Sequence, residues 1–201
     1  MTKHFILMAS AVALMASASA NAQTFDPQPI VDIMHANAGK ANNRPSGAKG
    51  QCFTGTFEST AEARGLSKAA TFQGTKQVEA RFSVGGGNPR VPDAARGPNR
   101  GFSFRIDPGA AGQTESVMVN APVNFAKTPK QMLEFLEVRR TQADGKPADP
   151  EKIKTWTEAN PETTAQARYL AAQPITASWV GLAYHGIHAY TLTNAAGQQS
   201  H

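Results

Sequence analysis

Gln77-Val78-Glu79-Ala80-Arg81-Phe82-Ser83-Val84 is the stretch that decides the fold. Val78, Ala80, Phe82 and Val84 fall on one side of it, and Glu79, Arg81 and Ser83 on the other. That alternation is the period of a strand with one face in a core. Gly85-Gly86-Gly87, followed by Asn-Pro, closes it in a turn. An arginine and a serine opposite valines and a phenylalanine call for a reason, such as a barrel interior holding a charged ligand.

Outward from this strand the same period recurs. Gln51 to Phe57 places Phe53, Gly55 and Phe57 on one face, Gly101 to Ile106 alternates through Phe102, Phe104 and Ile106, and Glu115 to Val119 reads as a fourth strand. The pattern then turns helical. Thr128-Pro129-Lys130-Gln131 offers a capping threonine, a proline at the first helical position and a glutamine three residues after the cap. Asp149-Pro150 and Asn160-Pro161 repeat the cap-then-proline device, which predicts two more short helices before Pro174. Tyr184 to Asn194 reads as β again, without a sequential partner after it. On the N-terminal side, Gln23 to Pro29 reads as an extended arm and His35 to Gly50, rich in Gly, Asn and Ala, as loop. Strands, then helices, then a strand predict an α+β fold with a mostly antiparallel sheet.

The first segment reads as an export signal. Lys3 and His4 precede an apolar run from Phe5 to about Met15, and Ala20-Asn21-Ala22 supplies an A-x-A cleavage pattern. Residues 1–22 are thus expected to be removed, leaving a periplasmic or secreted protein with an arm over 23–50 and a core over 51–201. No later apolar run is long enough to cross a bilayer, so no membrane partner is expected after cleavage. Cys52 is the only cysteine, which rules out an internal disulfide and a CxxC redox site; it reads as a small buried residue. Loss of Lys3 leaves 19 basic residues against 15 acidic ones. They are scattered, the densest set being Arg96, Arg100 and Arg105, which does not read as a nucleic-acid surface but suits an anionic ligand bearing carboxylates.

From the residues alone, the chemistry-bearing candidates are His35 before its flexible segment, Arg81 and Ser83 on the strand, and Asn120 and Phe125 after the fourth strand. His185 and His188 are three apart in a β-like stretch, so they point to opposite faces and do not make a metal pair. Neither a phosphate-binding glycine loop nor a G-x-S-x-G elbow is present.

Several blocks resemble the catalase family, in the family's order. Met34-His35-Ala36-Asn37-Ala38-Gly39 is similar to its V-H-A-K-G segment, and Gln51 to Glu58 to the barrel strand that follows it. Ala80-Arg81-Phe82-Ser83-Val84 resembles V-R-F-S-T, and Asp93 to Phe104, with Arg96, Pro98, Arg100, Gly101 and Phe102, resembles D-x-x-R-D-P-R-G-F-A-x-K. Val119 to Phe125 resembles the stretch ending N-T-P-x-F-F, and Tyr184 to Asn194, with His188, Ala189 and Tyr190, the G-S-H-T-F-K strand. The export signal points to the secreted catalase-related peroxidase branch.

The resemblance implies a catalase-like antiparallel β-barrel with inserted helices, a haem cofactor, hydrogen peroxide as substrate and an unidentified electron donor; it leaves oligomerisation open. It makes His35 the distal base, which takes a proton from one peroxide oxygen and returns it to the other. It makes Ser83 the group that orients the imidazole, Arg81 the partner of a haem propionate, and Phe125 and Tyr190 part of the pocket wall. Asn120 becomes the distal asparagine through a one-residue gap; without it that place falls on Val119. Asp32 stands where the family often has an arginine, and Val84 where it has a threonine. None of Tyr169, Tyr184 or Tyr190 lies in the family's R-x-x-S-Y context for the proximal iron ligand, so the expected barrel is incomplete and the metal ligand unknown. The alternatives are a relative that binds haem or another small ligand without turnover, and an inactive truncated relic.

Overall fold

The structure, a computed structural model, describes residues 25–38, 44–107, 109, 112–142 and 145–201. The expected export segment, residues 1–22, lies outside them, as do the first residues of the arm.

The sheet has five strands: β1 (Gly50–Glu58), β2 (Thr75–Val84), β3 (Arg100–Asp107), β4 (Thr114–Val119) and β5 (His185–Gly186), in the spatial order β1-β2-β3-β4-β5. Every pair is antiparallel. The sheet is open: β1 and β5 form its two edges. The α+β expectation holds, with an antiparallel sheet but without barrel closure among the described residues.

Alternation sorts the sheet into two unlike faces. On the apolar face Phe82 stacks on Phe102 with ring centres 4.7 Å apart, while Phe53 meets Phe82 edge-on at 5.5 Å. Val84 and Ile106 are buried on the same face. Burying a side chain of this size stabilises by about 1.5–3 kcal/mol, so this face supplies the core. Helix α2 (Ala61–Leu66) and a 3-10 turn, Ala70–Phe72, lead back over it. Phe72 meets Phe57, and the Thr71 hydroxyl bonds that of Thr114 at 2.5 Å. These two short elements were not foreseen from the sequence.

Three further differences have physical causes. Gln28–Ala38, expected as arm and loop, is helix α1. The Asp26 carboxylate accepts from the Gln28 N–H, which starts the helix, and Ile30, Ile33 and Met34 recur at helical spacing, with Ile33 buried. Tyr184 to Asn194 is not one strand. Its first part is β5; its last part is β6 (Leu192–Thr193), which pairs with β7 (Gln199–Ser200) around Gly197, whose φ of 80° favours glycine. Cys52, expected buried, is exposed because β1 is an edge strand.

The helical segment follows its caps. Thr128 accepts from Gln131 N–H at the start of α3 (Pro129–Val138), and Asp149 from Glu151 and Lys152 N–H at the start of α4 (Pro150–Ala159). Asn160-Pro161 opens a 3-10 turn, Pro161–Thr164, before α5 (Ala165–Ala172). Asn160 does not cap it: its side chain donates to Trp156 O and accepts from Gln131. Phe125, Phe135 and Trp156 pack in series, with the Arg139 guanidinium 3.7 Å from the Phe135 ring centre.

Lys127, 2.7 Å away, and the Gln131 amide hold the Glu162 carboxyl down at about 2. A carboxyl depressed in the folded state adds stability above its unfolded value near 4.5, and that contribution disappears as pH falls through 4.5 toward 2. Wild type is therefore expected to exceed Glu162→Gln in urea midpoint at pH 6, with the gap closing below pH 4. A constant gap across that range would show that Glu162 acts through packing alone.

Candidate functional site

The polar face of the sheet holds the candidate site. Cross-strand pairing sets Cys52, Arg81, Ser103 and Val117 in one row, and Gly50, Ser83, Gly101 and Val119 in the next. Arg81 and Ser83, two residues apart on β2, therefore lie side by side on this face. The Arg81 guanidinium donates through Nη2 to Gly47 O at 2.7 Å. That bond draws the loop before β1 over the face.

Glycines make this approach feasible. Gly47 has a φ of 61°, and a Cβ there would lie 3.3 Å from Ser83 Oγ. A Cβ on Gly50 would fall 2.5 Å from Arg81 Nη2 and would collide with the Phe82 carbonyl. One on Gly101 would stand 2.7 Å from Ser83 Oγ. Gly50→Ala meets backbone as well as a half-buried guanidinium, so it is expected to cost about 2 kcal/mol, the usual cost of overpacking. Urea denaturation checks this; an unchanged midpoint would mean that the Arg81 side chain moves aside freely.

An open cavity of 650 Å³ lies over the face, lined by Arg44, Cys52, Thr54, Arg81, Ser103 and Val117, with Glu79, Arg105 and Glu115 at its far end. Arg105 is held between Glu79 at 3.1 Å and Glu115 at 3.8 Å, so the far end carries net negative charge. Arg44 and Arg81 make no ion pair with any described residue and form the positive end. Carboxylates of an amphipathic ligand would bind there.

The expected site residues separate into those gathered here and those placed elsewhere. Arg81 and Ser83 form the wall. His35 lies in the last turn of α1, exposed, and makes no hydrogen bond to Ser83. Its helix ends against the β2–β3 turn: a Cβ on Gly87 would be 2.9 Å from the Ala38 Cβ. Asn120 is turned away. Val119 keeps the polar-face parity, and Asn120 Oδ1 instead accepts from Arg100 N–H at 2.7 Å. Arg100 is buried on the other face, where it donates to the carbonyls of Asp93, Ala95 and Pro98. Phe125 packs on Phe135 beside α3 rather than on this wall. Tyr190 lines a separate cavity of 530 Å³ with Phe57, Phe72, Phe104 and Ile106, on the apolar side.

Sequence reasoning missed Arg44 and Gly47. Gly47 carried only the generic signal of a glycine in a loop, and nothing in the sequence marked Arg44 as facing β2. Among the described residues no group of three or more His, Cys, Asp or Glu could hold a metal ion.

Known proteins with similar sequence or fold are consistent with one another. A family model described as Catalase matches residues 8–201. The catalase-related peroxidase of Synechococcus elongatus is 33% identical over 198 residues, which cover 96% of this chain and 58% of that protein. The catalase-related peroxidase of Mycolicibacterium paratuberculosis is 29% identical over 174 residues, covering 85% of this chain and 54% of that one. The chain thus spans little more than half the length of these relatives. Among solved structures, a bacterial catalase superposes with a TM-score of 0.65 at 22% identity, over 98% of this chain and 41% of its own. A fungal catalase gives 0.66 at 23%, over 85% and 34%. Both share the fold of this chain.

Proposed function

The chain belongs to the catalase family, and on that premise we propose that it serves haem-dependent reduction of hydrogen peroxide, with the polar face of its sheet as one wall of the haem site. The observation that carries this reading is the polar strand face: Arg81, with Arg44, forms the positive end of its cavity, and Ser83 stands beside Arg81 on the same face of β2.

The residues present fit a haem on that side. Arg81 and Arg44, without ion-pair partners among the described residues at the positive end of the cavity, suit its two carboxylates. None of the described tyrosines lies on that face. Tyr190 lines the other face, and Tyr169 lies in α5. Tyr184 points its ring at Phe82 and Phe102 and donates its hydroxyl to Trp179 O. Burial pushes the Tyr184 phenol above its ordinary range, with the Arg100 charge pulling weakly the other way, so it remains a protonated donor.

Bound haem would supply the redox centre at which the O–O bond is broken. The chain's own residues would do the rest. Arg81 would hold one of the haem carboxylates. His35 takes a proton from one peroxide oxygen and delivers it to the leaving oxygen. Ser83 presents a hydroxyl on the wall, and it would orient that imidazole once His35 is drawn in to the bound ligand. Peroxide becomes two waters, and an organic donor loses the two electrons and two protons that balance it. Residues 1–22 would direct the protein to the periplasm or the outside of the cell. The exposed place of His35 at the end of α1, away from Ser83, favours a second reading, binding without turnover.

Haem titration of the chain purified without residues 1–22, followed by the Soret band, tests the reading. Saturable one-to-one binding is expected; a folded chain that leaves the haem spectrum unchanged would overturn it. Peroxide turnover by the complex that falls about a hundredfold or more in His35→Ala, the lower range for loss of an acid–base group, would select catalysis. Turnover at the level of free haem in both would select binding alone.

A further inference from the structure

His185 and Val119 are directly paired across β4 and β5, so their side chains share a face. Tyr184, the neighbour of His185, turns the other way, with its ring 5.5 Å from Phe102 on the apolar face. His185 therefore stands on the face of Arg81 and Ser83. It extends their row, which runs Gly50, Ser83, Gly101, Val119, His185. Gly101 has no side chain and Val119 no polar side-chain atom, so Ser83 and His185 are the only hydrogen-bonding side chains of that row. Three strand spacings, about 14 Å, separate them. They cannot touch each other, but a flat ligand lying along the Gly101–Val119 shelf would meet one at each end. The His185 ring is half-buried and makes no hydrogen bond or ion pair with a described residue.

We infer that His185 is a haem-contacting residue, which closes the end of the shelf opposite Ser83 and hydrogen-bonds to the ligand there. This rests on the haem reading above. The competing role is plain: a histidine on a two-residue edge strand that caps the sheet and touches no ligand.

Ferric haem is paramagnetic and broadens the resonances of nuclei near its iron, which gives a direct test. The chain purified without residues 1–22, with isotope-labelled histidine, is titrated with ferric haem while ring resonances and the Soret band are followed in the same samples. His185→Gln and His188→Gln assign the signals. The His185 ring signals are expected to broaden beyond detection. Those of His188, whose ring lies 6.4 Å from that of Tyr190, are expected to stay sharp. In the same titration His185→Val should bind haem several-fold more weakly, with His185→Asn between it and wild type. A Soret transition with a sharp His185 signal would overturn this assignment alone. No Soret transition would overturn the haem reading and this inference with it.

Discussion

Arg81→Ala is expected to weaken haem binding by tenfold or more. A hydrogen bond from a charged donor contributes about 1.5–3 kcal/mol, and tenfold corresponds to about 1.4 kcal/mol. The side chain has five N–H donors. One is committed to Gly47 O, which leaves the remainder of the fork for a carboxylate. Arg81→Lys keeps the charge and loses the fork, so it should recover only part of the affinity. Arg105→Ala is the control on the same face. Its guanidinium is already occupied by Glu79 and Glu115, so its removal should leave haem affinity within about twofold, in line with the small worth of exposed pairs. Equal losses in the two alanine variants would mean that the face binds through diffuse charge, and the specific role of Arg81 would fall.

The largest expected loss of stability is at Arg100. Its residue is 8% exposed, and its guanidinium donates to three carbonyls, those of Asp93, Ala95 and Pro98, at 2.6 to 2.8 Å. It also lies 5.5 Å from the Trp179 ring centre. Among the described residues no other side chain ties the 93–98 loop to β3 in this way. Arg100→Met keeps much of the stem but leaves the three carbonyls without that donor. The expected cost is about 3 kcal/mol, since three hydrogen bonds from one buried, charged donor are lost together. Urea denaturation reads it, and a cost below 1 kcal/mol would show that the loop finds water instead. The Arg81 face should survive the change in any variant that folds, because the two arginines occupy opposite sides of the sheet.

Strand parity was the most legible part of the molecule. The alternation through Arg81, Phe82 and Ser83 sorts core from wall, and the register keeps that sorting across β1 to β4. Caps marked α3 and α4 because Thr128 and Asp149 satisfy N–H groups local in sequence. Helix α1 was hidden by the composition around it: Asn37, Ala38 and Gly39 read as loop, although Ile30, Ile33 and Met34 already had helical spacing. Asn120 shows how one residue of parity decides a role. A resemblance that tolerates a one-residue gap cannot say which face a side chain takes, whereas the strand can, and it gives the wall Val119. Tyr190 was assigned from a strand that the chain does not form there, since β5 ends at Gly186 and β6 begins at Leu192. The approach of Arg44 to the same cavity is a tertiary event with no local signature.

The connection into β5 has a consequence for the order of assembly. β1 to β4 form a meander in which each strand pairs with the next, so short closures suffice to build it. β5 returns to β4 only after the whole helical excursion from Asn120 to Tyr184, and it contributes just two residues. That last seam closes latest and opens first. The amides that bridge this seam are expected to exchange with solvent hydrogen through local opening while the Phe82–Phe102 centre of the sheet stays closed.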